Sequence, residues 1–85
     1  MGVRKLRKML VDGFPGAEVR DLGRPPEGSR IGGVLLWKRF EGLDQIDRQQ
    51  AVWRLLRARL TPEEQQEIGL IMTLTPHEFE MITAP

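Results

Sequence analysis

The segment from Phe40 to Trp53, FEGLDQIDRQQAVW, places an aromatic strand end, a glycine turn and a capped helix start within fourteen residues. A chain built this way must hand a strand directly to a helix, and the helix must then pack back on the sheet it has just left. Asp44 is the N-cap and Asp47 puts negative charge in the first turn, where the helix dipole favours it. At about 100° per residue, Ile46, Gln49, Val52, Trp53, Leu56 and Leu60 fall on one face, which is expected to lie against the sheet. The start signal recurs twice. Thr61-Pro62-Glu63-Glu64 combines an N-cap, a proline at the first helical position and a capping-box glutamate, and Thr75-Pro76-His77-Glu78 repeats it for a short terminal helix. Gly69 is expected to end the helix opened at Thr61, and Leu70 to Leu74 to form a strand.

Upstream, Val3, Leu6 and Leu10, with Met9 beside them, recur at helical spacing among Arg4, Lys5, Arg7 and Lys8, which predicts an amphipathic first helix ending before Gly13. Ala17 to Leu22 alternates as a half-buried strand does. Residues 23–30, rich in proline and glycine, read as a flexible loop, expected to be the most mobile part of the chain. Ile31 to Phe40 reads as the strongest strand, with both faces covered and a bulge or close backbone approach at Gly32 and Gly33. The order helix, strand, strand, helix, helix, strand predicts an α+β fold, with helices on one face of a three-stranded sheet. Val34, Leu36, Val52, Trp53, Leu56 and Leu60 are expected to share its core. Eighty-five residues are enough for one domain, residues 1–85, which buries a little more than about 60% of its unfolded surface.

Cysteine is absent, so there is no disulfide framework and no thiolate nucleophile, and the chain suits a reducing cytoplasm. The basic start MGVRKLRKML lacks the apolar run of a signal peptide, and no segment approaches a membrane span. His77 is the only histidine, and no Ser-His-Asp or H-E-x-x-H spacing exists, which argues against an enzyme. Glu63, Glu64 and Glu67 are explained by capping and helix-start electrostatics rather than as a catalytic cluster. The glycine-rich pieces GSRIGG and GRPPEG match neither a phosphate loop nor a dinucleotide fingerprint.

Charge is divided along the chain. All thirteen Lys and Arg residues lie at or before Arg59, and the net charge is +1. Arg48, Arg54, Arg57 and Arg59 on the long helix form the footprint of a possible DNA or RNA surface, largely electrostatic and independent of sequence. No GxxG loop joins two helices as a KH clamp requires. Trp37 and Trp53 lie in apolar runs and read as core aromatics rather than base-stacking platforms.

The Phe40–Trp53 block resembles the central signature of BolA-like proteins, in which a strand ends in F-x-G-[LK], an N-cap follows and a helix begins with R-H-R. Phe40, Gly42, Leu43, Asp44, Arg48, Val52 and Trp53 fit that pattern, while Gln49 and Gln50 stand in place of His and Arg. Thr73 to Phe79, TLTPHEF, is similar to the family's closing T-x-T-P-x-E-[WF] element, with Thr75 and Pro76 matched. The resemblance spans most of the chain and implies a fold similar to a type II KH domain. It also implies a monothiol glutaredoxin as partner, with a [2Fe-2S] cluster shared through a histidine at the start of the third strand, in the pattern H-A-L-S-L-K-T-x-T-P. Aligned on Thr73, Thr75 and Pro76, that ligand position is Glu67, and the family's strand lysine is Met72. His77 lies ten residues beyond the ligand position. A carboxylate is a harder ligand than imidazole and a poor match for cluster iron, so no cofactor is expected to be held by this chain. Gln49, at the family histidine of R-H-R, is expected to be a structural amide bonded to the backbone of the sheet or a loop.

Overall fold

Three strands, β1 (Glu18–Gly23), β2 (Ile31–Leu36) and β3 (Ile68–Leu74), form one sheet in that order, with β1 antiparallel and β3 parallel to β2. The parallel pair requires a long crossover. It is supplied by a short 3-10 turn (Lys38–Phe40) and two helices, α2 and α3. Here α1 spans Val3–Gly13, α2 Gln45–Arg59, α3 Pro62–Gln65 and α4 Pro76–Thr83. The computed structural model describes every residue except Ser29 and Pro85, so Ser29 of the loop expected at 23–30 lies outside the described residues.

Strand parity decides which side chains meet the helices. Val19, Leu35 and Thr73 stand side by side in the register, and Ile31 and Ile71 share their core. Against them pack Leu6, Met9 and Leu10 of α1 and Val52 and Leu56 of α2, with Leu60 just beyond its end. Val34 and Leu36 have the opposite parity, and this corrects the expected core: Leu36 is buried on the second face of the sheet beside Leu74, and Val34 there is only half-buried. The Arg20 guanidinium, in register with Val34, lies 5.6 Å from the Phe79 ring centroid, which brings α4 to that second face.

The strand expected over Ile31 to Phe40 ends at Leu36, because the chain must turn to put Phe40 inside. Phe14, Trp37 and Phe40 meet there edge to face, with centroids 5.0 and 5.2 Å apart for the two Trp37 pairs. The indole N–H of Trp37 donates to Pro15 O at 2.9 Å. The glycine pair expected to mark a bulge does so. Between Arg20 and Gly23 the first strand carries one extra residue, Asp21 takes φ +55°, and a Cβ at Gly33 would come within 3.0 Å of Leu22 Cα. Gly69 does not end a helix. It lies within β3, and α3 is a single turn that stops at Gln65, so that Ile68 reaches the core.

Candidate functional site

β3 is an edge strand, so alternate carbonyls along it point away from β2. The Trp37 N–H bonds Leu74 O on the inner side, leaving the carbonyls of Ile71 and Thr73 directed outward. Helix α2 satisfies both. Gln49 Nε2 donates to Ile71 O at 2.7 Å and to Thr73 Oγ1 at 3.2 Å, and Gln45 Nε2 donates to Thr73 O at 2.9 Å. Thr73 Oγ1 in turn donates to Gln45 Oε1 at 2.7 Å. Gln49 is thus bonded to sheet backbone, and the free edge is sealed by side-chain amides.

Arg48 is the third member of this seam. Its Nε donates to Leu43 O at 2.9 Å, and Nη1 donates to Thr73 O at 3.1 Å and to Glu78 Oε1 at 2.7 Å. Nη2 reaches Glu78 Oε2 at 3.2 Å, and the guanidinium carbon lies 5.7 Å from the Phe40 ring centroid. With 4% exposure Arg48 is buried, which removes it from the basic surface to which the sequence assigned it. Arg54, Arg57 and Arg59 remain exposed. The error is one of helical phase. Arg48, Val52 and Leu56 recur every four residues and mark the buried stripe, whereas Ile46 lies about 120° from Val52 and is 68% exposed. Trp53, about 100° away, is half-buried at the rim. A long cation at stripe spacing, followed by a capping-box glutamate at Glu78, was the available signal.

The signature residues have local reasons. Gly42 takes φ +85°, a left-handed conformation that glycine adopts without strain. Leu43 is 40% exposed, Asp44 Oδ1 accepts from Asp47 N–H at 2.8 Å, and Thr75 caps α4 above Pro76 with a reciprocal box to Glu78. The Arg48 guanidinium, and then the Thr75 N–H, pull the Glu78 carboxyl down from 4.5 to about 2 against the cost of burial. A depressed carboxyl stabilises the fold above its unfolded value, and that stability is lost as pH falls through the folded one, so acid should weaken the domain between about pH 4.5 and 2. Because the Glu78 side chain is 41% exposed, the loss is discounted to roughly 1–2 kcal/mol. Urea unfolding against pH checks this, and Glu78→Gln should flatten that part of the profile.

Glu67 just precedes β3. Its carboxylate takes both the Met1 amino group, at 2.9 and 3.0 Å, and Arg24 Nη2 at 2.9 Å. These cations, the amino group first, hold it ionised below the ordinary carboxylate range. A carboxylate held by two cations does not suit cluster iron, so the donor set at the family's ligand position does not fit a [2Fe-2S] group. His77 follows the far end of β3, about 20 Å of strand away, and is exposed in a cleft with Lys38, Glu41 and Arg48. Among the described residues, no three His, Cys, Asp or Glu side chains are grouped to hold a metal.

Outside the seam lies an apolar strip. Ile46 and Trp53 line a groove of about 400 Å³ with Gln45, Gln49, Gln50 and Arg57. Gln45 and Gln49 also line a second hollow with Leu70 and Met72. Leu70 is 67% and Met72 41% exposed, so exposed apolar side chains stand on both sides of the Gln45–Gln49 seam, Ile46 and Trp53 on α2 and Leu70 and Met72 on β3.

No protein-family model matches the sequence, and no curated protein matches it. Among solved structures, a BolA protein homologue from Coxiella burnetii superposes with a TM-score of 0.70 at 22% identity, covering 94% of this chain and 97% of that one. A bol-like protein from Babesia bovis gives 0.62 at 22% identity, covering 96% and 93%. At this identity the likeness shows the fold: the α+β arrangement of this chain is that of BolA homologues.

Proposed function

We propose that this chain is a BolA-like protein that works without catalysis, as an adaptor docking a monothiol glutaredoxin through the α2–β3 face while donating no ligand to its [2Fe-2S] cluster. The observation that carries this reading is the separation of two features. The α2–β3 face is apolar and exposed, whereas Glu67, at the family's ligand position, is occupied by Met1 and Arg24. An interface needs the first and not the second. A cytoplasmic setting fits a chain without cysteine, and no described helix is long and apolar enough to cross a membrane.

The test is spectroscopic. Mixing the chain with a cluster-loaded monothiol glutaredoxin should change the visible absorption and circular dichroism little, and Glu67→His should produce a larger change. A strong shift with the unaltered chain, abolished by His77→Ala, would make His77 the ligand and overturn the reading. Nucleic-acid binding is the weaker alternative. Arg54, Arg57 and Arg59 are exposed but no GxxG clamp accompanies them, so such binding would be electrostatic and would fall steeply with salt.

A further inference from the structure

The groove on α2 and the adjoining hollow between α2 and β3, which share Gln45 and Gln49 and are together called the α2–β3 groove, select the shape of what fills them. A partner adding a strand to β3 would need the outward carbonyls of Ile71 and Thr73, and both are already taken by Gln49, Gln45 and Arg48. The surface beyond them is apolar, made by Ile46, Trp53, Leu70 and Met72, and among the described residues the only charged side chain lining either hollow is Arg57. What fits is a short helix with an apolar face and negative charge.

This chain carries such a helix. On α4, Met81 and Ile82 are 69% and 64% exposed, Glu80 is exposed between Phe79 and Met81, and no Lys or Arg follows Arg59. The helix cannot reach the groove of its own chain. Its first turn is pinned by the Thr75–Glu78 box and the Arg48–Glu78 pair, and Phe79 is directed toward Arg20 of β1.

We propose that α4 of a second copy of this chain seats Met81 and Ile82 in the α2–β3 groove, with Glu80 toward Arg57, and that a two-fold axis repeats the contact to give a weak reciprocal dimer. An eight-residue helix is about 12 Å long and offers two exposed apolar side chains, so each contact is small and the dimer weak. The inference concerns the chain alone, and a glutaredoxin docked on the same face would displace the second copy.

Sedimentation velocity on the isolated chain tests it, over a concentration series rising to about 1 mM, which reaches the dissociation constants of weak interfaces. The weight-average mass should climb from the 9.8 kDa of one chain toward twice that value. Ile82→Glu and Ile46→Glu should each hold the chain monomeric. Both residues are exposed, so circular dichroism and the melting curve should stay unchanged. Mixing the two variants should restore association in part, because one keeps its groove and the other its helix. Arg57→Glu should weaken the dimer several-fold, and adding Glu80→Arg should recover it. A chain that stays monomeric throughout, as it would if the groove served only another protein, overturns the proposal. So does a dimer indifferent to these substitutions, or a mixture that does not associate.

Discussion

Leu56→Ala is expected to lower the unfolding free energy by about 2 to 5 kcal/mol, the usual cost of truncating a buried leucine and leaving its space partly empty. Leu56 is fully buried one turn beyond Val52, where α2 meets a cluster that also contains Leu10, Leu35 and Ile71. Neighbours from a second helix and two strands cannot all relax into the space at once, which favours the upper half of that range. A domain of this size has roughly 4–13 kcal/mol in total, so the variant should be near its limit at physiological temperature. Urea unfolding should show the midpoint falling with little change in slope. A loss below about 1 kcal/mol would contradict the packing described for α2.

Arg48→Met should cost about 2–4 kcal/mol, although it replaces a buried cation by an apolar chain of similar length. The guanidinium satisfies the Leu43 and Thr73 carbonyls and neutralises Glu78, and methionine does none of these. Breaking a wholly buried pair costs more, about 3–5 kcal/mol, but Glu78 is partly exposed and regains water when left alone. The loss should be smaller in the Glu78→Gln background, since the two residues share one network. A variant as stable as the parent would mean that Arg48 merely fills space, and that the seam between α2 and β3 is held by the glutamines alone.

Much of this architecture was legible because its punctuation is local. Thr61-Pro62 and Thr75-Pro76 announce helix starts through hydrogen bonds made within four residues, and both boxes form as those residues dictate. The Asp44 cap and the Gly42 turn are local in the same sense. Strand parity was not legible. Val34, Leu35, Leu36 and Trp37 are all apolar, so no alternation shows which of them faces α2, and only the pairing with β1 and β3 decides for Leu35. The phase of α2 is hidden for a related reason. Apolar character drew Ile46 onto the buried face and charge pushed Arg48 off it, but Arg48 is compensated by Glu78, a residue thirty positions away. The bond of Gln49 to sheet backbone was legible, because a polar amide at a buried helix position needs such a partner, whereas the matching role of Gln45 is long-range and unmarked in the sequence. The occupation of Glu67 by Met1 and Arg24 joins three distant parts of the chain, which no short window reveals.

Isothermal titration of the chain with a monothiol glutaredoxin, read beside amide chemical-shift changes, tests the proposed function most directly. The account predicts saturable binding, shifts concentrated on α2 and β3 around Ile46, Trp53, Leu70 and Met72, and an affinity that survives Glu67→Ala but falls at least tenfold with Met72→Glu. No heat and no shifts at concentrations up to about 1 mM, or shifts centred on Glu67 with Leu70 and Met72 unmoved, would contradict it.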